Sequence, residues 1–307
     1  MKKSLFIVLG AFVLACQQEN VQLTDNVSVS NSPQPTDNIR NTRTNVNATG
    51  DCAYTFNEAN LTNSGWTKIL DEQFANLDNW NIWYGGAYNN ELQLYSPNNF
   101  VLSNGNLQIV AKKETVNGPT LPGSTTTKRF SYTSGRLESK VLYSANTTNP
   151  KIRMIARIKL PVGYGMWPAF WSYGDPWPTQ GEIDILEAKG QEPNMYYTNY
   201  FYGNTAGTNL VSGATSIINS SVSLQSCFHV YELVWEATKL SYYFDGNLVD
   251  TKSATSPGGS YISSLFGKSE KIVLNLAVGG DFFGRLVTKK IVPGSMEVDW
   301  VQVYRSN

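Results

Sequence analysis

From residue 52 onward, apolar and polar residues take turns along the chain. Lys151 to Leu160 puts Ile152, Met154, Ala156, Ile158 and Leu160 on one face, with mostly cationic residues between them. A period of two marks a strand with one face buried. Leu107, Ile109 and Ala111 repeat the pattern after Asn104-Gly105. Leu240, Tyr242 and Phe244 do so before Asp245-Gly246, a pair that favours a tight hairpin. Ile272, Leu274, Leu276 and Val278 run up to Gly279-Gly280, and Met296 to Tyr304 closes the chain as another strand. No long helical period interrupts residues 52–307. Many strands separated by Gly, Pro and Asn turns predict an all-β sandwich or barrel in one domain. The absence of an internal repeat argues against a propeller or solenoid.

The first fifty residues follow another rule. Lys2 and Lys3 precede the apolar stretch Leu5–Leu14, too short to span a bilayer, which ends in Val13-Leu14-Ala15-Cys16. This looks like a bacterial lipobox: residues 1–15 would be a lipoprotein signal peptide and Cys16 the acylated first residue. Residues 16–50, rich in Asn, Ser and Thr and without aromatics, cannot bury enough apolar surface to order themselves and read as a disordered tether. The folded domain is then 51–307, lipid-anchored at the bacterial cell envelope. Setting Cys16 aside leaves Cys52 and Cys227, an even pair in an exported protein, for which a disulfide is expected. Two buried free thiols are the alternative.

Composition narrows the chemistry. Lys plus Arg is 24 and Asp plus Glu is 24, with no basic run, so nothing suits a nucleic-acid partner. A single histidine, His229, rules out a His-x-x-x-His zinc site, and acid–base work falls to carboxylates. With 8 Trp and 17 Tyr, the chain is well supplied with flat amphipathic rings that suit sugars or a filled core.

The carboxylates that stand out are in Gly181-Glu182-Ile183-Asp184-Ile185-Leu186-Glu187. In a regular strand Glu182 and Asp184 share a face, while Glu187 falls on the apolar one, where an unpaired carboxylate is costly. A β-bulge around Ile185–Leu186 returns Glu187 to the acidic face. Three acids on one wall cannot all ionise freely, so at least one is pushed towards the value a general acid needs. On the strand before it, Trp167, Ala169 and Trp171 share one face and Met166 and Phe170 the other.

Glu-Ile-Asp-Ile-Leu-Glu resembles the bulged catalytic motif of glycoside hydrolase family 16. Other blocks resemble that family's bacterial laminarinase branch: Asn89-Asn90-Glu91-Leu92-Gln93-Leu94-Tyr95, Tyr132-Thr133-Ser134-Gly135-Arg136, Ala156–Pro161, Gly165–Trp171, Phe228–Tyr231, Leu274–Gly280 and Val298–Tyr304. They cover residues 66–304 in the family's order. The resemblance implies a β-jelly-roll sandwich of two curved antiparallel sheets with a glycan cleft on the concave one. It implies Glu182 as nucleophile, Glu187 as acid/base and Asp184 between them, tuning the nucleophile. No cofactor is required for that chemistry. Trp167 and Trp171 would hold sugar rings, Arg136 would stand beside the nucleophile, and Asn90 and Asn275 would bind substrate. Asp299 marks the place of a structural calcium, with Glu72 or Gln73 as its partner, although the spelling Asp-Glu-Gln-Phe departs from the family's.

The expected activity is that of a monomeric, retaining endo-glycosidase on a neutral β-linked polymer, with β-1,3-glucan first. The alternatives are an endo-β-galactosidase on a galactose-containing glycan and, from another class, a non-catalytic glycan-binding lipoprotein. The family's Gly-Thr-x-His segment is replaced here by Asn194–Gly203, which has no histidine, and this is where the substrate assignment is weakest.

Overall fold

The computed structural model describes residues 42–46, 52–103 and 105–306. The signal peptide, Cys16 and most of the 16–50 segment lie outside them. Two eight-stranded sheets make the fold. The first, the cleft sheet, runs in the order Thr42–Val46, Ser216–Ser220, Met195–Phe201, Glu182–Ala188, Met166–Tyr173, Glu270–Val278, Arg136–Tyr143, Trp80–Ile82. The second, the back sheet, runs Asn247–Ser253, Lys239–Phe244, His229–Trp235, Lys151–Lys159, Ser295–Ser306, Asn106–Val110, Phe100–Ser103, with Trp66–Glu72 also paired to Ser295–Ser306. Apart from the strand at Thr42, every pairing within the two sheets is antiparallel, as the jelly-roll expectation requires.

The alternating residues meet between the sheets. Met166 and Phe170 on the cleft sheet, with Ile272, Leu274 and Leu276 beside them, face Met154, Ala156, Ile158, Val301 and Val303 of the back sheet in one continuous core. Fully burying a side chain of this size stabilises the fold by roughly 1.5–3 kcal/mol. Phe170 is fully buried, and truncating it to Ala would remove about 3–5 kcal/mol.

Two features depart from the sequence pattern. Ile155 lies between Arg153 and Arg157 on what should be a solvent face, yet it is buried. The segment that opens the domain covers it: Leu61 packs on Ile155, Val230 and Tyr304, and Phe56 meets Trp300 at 5.3 Å. Leu61 sits on the short helix Glu58–Asn63, started by Asn57, whose side chain accepts from Ala59 N–H at 3.1 Å. The Cys52–Cys227 disulfide, with Cα atoms 5.5 Å apart, fastens this segment to the back sheet. The second departure lies within the segment read as a tether. Thr42–Val46 pairs in parallel with Ser216–Ser220 at the edge of the cleft sheet. Backbone hydrogen bonds carry such a pairing, so a segment with little apolar content can still form it.

Candidate active site

The outer face of the cleft sheet carries a cleft of about 820 Å³ that crosses the sheet, from Trp83 at one side to Thr215 at the other. Its floor is made by alternate residues of neighbouring strands: Ala169 and Trp171, Asp184, Asn199, and Asn275 and Ala277. A hairpin formed by Val116–Pro119 and Thr127–Phe130 contributes Thr120, Leu121 and Lys128 beside Trp83.

The expected bulge is present. Trp171 is opposite Asp184, but Phe170 is already opposite Leu186, and on the other side Asp184 pairs with Asn199 while Glu187 pairs with Tyr197. One extra residue has been taken up between Asp184 and Glu187. Ile183, Ile185 and Leu186 are buried in the core, and Glu182, Asp184 and Glu187 all reach the cleft. The outer two acids stand towards opposite ends of the strand Glu182–Ala188.

Each outer carboxylate is held by an indole. Trp177 Nε1 donates to Glu182 Oε2 at 2.6 Å, and Trp167 Nε1 donates to Glu187 Oε1 at 2.9 Å. Among the described residues no salt bridge reaches Glu182, Asp184 or Glu187. Burial, then the charge of Glu187, pushes Glu182 up to about 8. Burial, with a further push from Glu91, takes Glu187 up to about 7. Asp184 is buried and raised well above the carboxylate range, first by desolvation and then by Glu182 and Glu187. No donor reaches its Oδ2, whereas it shares a hydrogen bond with Glu182. Two carboxyls share a hydrogen bond only if one of the pair keeps a proton, and burial raises both.

Trp167 and Trp171 both line the cleft, as expected. Trp167 stacks on Phe282 at 4.7 Å and Trp171 on Tyr173 at 5.1 Å. Arg136 is buried beneath rings, its guanidinium 4.1 Å from the Trp83 centroid and 4.9 Å from that of Trp171. It is paired with Glu138 through Nη2 at 2.6 Å, so it is a fixed cation rather than a free surface one. Asn275 accepts from Trp171 Nε1 at 2.7 Å and donates to Tyr95 OH at 3.1 Å. Asn90 lies on the cleft rim with a left-handed backbone, φ 53°, and its amide donates to both oxygens of Asp281 at 3.0 Å. It ties two rim loops together.

Asp299, the residue expected at a calcium, is engaged by a cation of the protein. It pairs with Arg157, and Glu72 is buried with its oxygens taken by Phe74 N–H at 2.6 Å, Asn79 at 2.8 Å and Trp80 Nε1 at 3.1 Å. Gln73 turns to Asp71. A carboxylate neutralised by a guanidinium and another filled by N–H donors do not fit a calcium, which needs six or more free oxygens. Among the described residues no group of three or more metal-ligating side chains gathers.

Sequence reasoning overlooked Trp177, Phe201 and the part played by Glu91. Trp177 sits in Asp175-Pro176-Trp177-Pro178, just ahead of the acid strand, and that proximity was the available signal. Of the Tyr196–Tyr202 run, Tyr196, Tyr200 and Tyr202 turn into the core, and the cleft receives Asn199 and Phe201. Phe201 stands 6.2 Å from Trp177, beside Glu182.

Comparison with known proteins agrees with this architecture. The family described as Glycosyl hydrolases family 16 matches residues 88–302. The chain is 30% identical over 268 residues to a glucan endo-1,3-beta-glucosidase A1 of Niallia circulans, covering 81% of this chain but 37% of that protein's length. It is 34% identical over 237 residues to a glucan endo-1,3-beta-glucosidase of Cryptopygus antarcticus, covering 71% of this chain and 83% of the other. Among solved structures, an endo-beta-1,3-glucanase from Pyrococcus furiosus superposes with a TM-score of 0.65 at 32% identity, over 79% of this chain and 95% of that one. The match spans the acid strand, the tryptophan strand and most of both sheets, and on that extent the chain belongs to glycosyl hydrolases family 16.

Proposed function

We propose that this chain is a monomeric, retaining endo-glycosidase that cuts internal β-1,3 bonds of a glucan. The bulge carries the reading. A strand of surface acids has no use for an inserted residue that turns Glu187 back to the face of Glu182, but a double displacement needs two carboxyls on one cleft. In the first step Glu187 gives its proton to the glycosidic oxygen while Glu182 attacks the anomeric carbon. The aglycone leaves, and the sugar remains as an ester on Glu182. Glu187, now a carboxylate, takes a proton from water; the hydroxyl attacks the anomeric carbon and frees Glu182. Trp177 N–H and the hydrogen bond shared with Asp184 steady the Glu182 carboxylate as it is released. The sugar chain lies across Trp167 and Trp171, and a cleft that crosses the whole sheet accepts it mid-chain.

The β-1,3 linkage is supported by the names of the relatives from Niallia circulans and Cryptopygus antarcticus. A keratan-sulfate endo-1,4-beta-galactosidase of Sphingobacterium multivorum, 31% identical over 48% of this chain, keeps a β-galactoside as the second reading. The test is digestion of laminarin and a poly-lactosamine glycan, with products followed by NMR and viscosity. Internal cuts in laminarin with retained anomeric configuration are expected. Cleavage of poly-lactosamine alone would establish the second reading, and inverted products would overturn the double displacement. Binding without turnover would make the chain a glycan-capturing protein.

We also propose that Cys16 carries the lipid that holds the protein at the bacterial envelope. Cys16→Ser should leave the protein in the soluble fraction; continued sedimentation with membranes would refute the anchor.

A further inference from the structure

Three hydrogen bonds run in one direction beneath the cleft. Trp171 Nε1 donates to Asn275 Oδ1 at 2.7 Å, Asn275 Nδ2 donates to Tyr95 OH at 3.1 Å, and Tyr95 OH donates to Glu91 Oε2 at 3.0 Å. A fourth bond, from Gln93 Nε2 at 2.7 Å, ends on the same oxygen, while Gln93 Oε1 accepts Val278 N–H at 2.7 Å. Every arm terminates on Glu91, and no donor in the set could be reversed without leaving an N–H or O–H unpaired. Glu91 also borders the Glu187 side of the cleft. A Cβ built on Gly280 would lie 3.1 Å from Trp167 Cζ3 and 3.3 Å from Glu91 Cγ, and Trp167 is the ring that donates to Glu187.

We propose that Glu91 is a positioning residue of this site, the shared acceptor that fixes both the Trp171 platform and the Glu187 side of the cleft. The inference rests on the reading of Glu187 as acid/base. The groups around Glu187 are Glu182 and Asp184 on its own strand, Lys189 just beyond it, Glu91 and Asp281 on the rim loops, and Arg136 across the floor. Lys189 lowers Glu187 and Glu91 raises it. Burial raises Glu91 itself, while Gln93, Arg136 and Tyr95 pull in the other direction, and in its ionised form it faces Glu187 as a negative charge. A nearby anion helps Glu187 hold its proton until the glycosidic oxygen takes it.

The variants separate charge from hydrogen bonding. Glu91→Gln keeps an acceptor for Tyr95 and removes the charge. On laminarin, the alkaline limb of kcat/KM should move to lower pH by ~0.5–1 unit, with KM within about twofold of the unaltered enzyme. Tyr95→Phe cuts the relay and keeps the charge, so KM should rise several-fold while the limb stays. The carboxyl carbon of Glu187, followed by NMR in ¹³C-glutamate-labelled full-length protein and assigned with Glu187→Gln, should titrate lower in Glu91→Gln. A folded Glu91→Gln with both limb and titration unmoved would overturn the proposal. Should Glu91→Gln fail to fold, Glu91→Asp, which retains the charge, must keep the limb of the unaltered enzyme, and a shifted limb would count against the inference. If the unaltered protein cleaves no glycan, the functional reading falls, and the NMR titration still decides on Glu91.

Discussion

Four acids of the back sheet and the three acids of the cleft are held in opposite ways. On the back sheet, Glu232 is 1% exposed and receives Arg153 Nε at 2.8 Å, Asp299 pairs with Arg157, Glu297 with Lys159 at 3.1 Å, and Glu236 with Lys151 at 2.8 Å. On the cleft sheet, Glu182, Asp184 and Glu187 are held by indole N–H groups and by one another, with no cation bonded to them among the described residues. Buried charge is normally neutralised by a partner. The four back-sheet acids just named obey, whereas the three cleft acids are held by indole N–H groups and by the protons that burial favours.

The comparison breaks first at Glu182. Glu182→Gln should lower kcat by roughly 10⁴-fold or more while the fold persists, as reducing-end assays and circular dichroism would show. Activity within tenfold of the original would mean that the cleft acids are as dispensable as those behind them. The strongest counterpart on the back sheet is Arg153→Met, which strands Glu232 in the interior. It should cost about 3–5 kcal/mol in urea unfolding, with kcat per folded molecule unchanged.

A sharper test uses pH. Glu182 and Glu187 move from an ordinary 4.5 to about 8 and about 7, so the folded state holds their protons more tightly than the unfolded chain does. The stability this brings is complete below about 4.5 and is lost as pH rises through about 7 and about 8. Glu182→Gln should therefore be more stable than the unaltered protein above pH 8, by about 1–3 kcal/mol, and lose that advantage near pH 4.5. Thermal melts across the range would check it; a constant difference would show that burial does not set the protonation of Glu182. The smallest effect belongs to Asp299→Asn. Its pair with Arg157 is about one-third exposed, and the loss should be under ~1 kcal/mol, with or without added calcium. A calcium-dependent melting temperature lost in this variant would restore the ion.

The strand alternation made the core legible, because Ile152 to Leu160 and Ile272 to Val278 bury the residues that a period of two assigns. The bulge was legible for a different reason: three acids and two isoleucines cannot all be satisfied in a regular strand, and only one inserted residue resolves the conflict. Contacts between distant segments were not legible. Nothing near Ile155 says that Leu61 will cover it, and nothing near Glu187 says that Glu91 lies beside it. Asp299 was ambiguous because the same carboxylate suits an ion or an arginine, and its pairing with Arg157 depends on a strand neighbour far away in sequence. Which residues of Tyr196–Tyr202 face the cleft was not legible either, because the register of that strand decides it.

The disulfide has a mechanical meaning. Any pull along the chain that reaches Cys52 from its N-terminal side is handed through sulfur to Cys227, two residues before the strand His229–Trp235 in the interior of the back sheet. The helix Glu58–Asn63 and its covering of Ile155 lie outside that load path. Tension must then shear hydrogen bonds against strands on both sides rather than peel the first segment away. An enzyme held by its N-terminus and dragged by the polymer in its cleft would take the strain where the sandwich is strongest, and breaking the bond would move that strain to the helix.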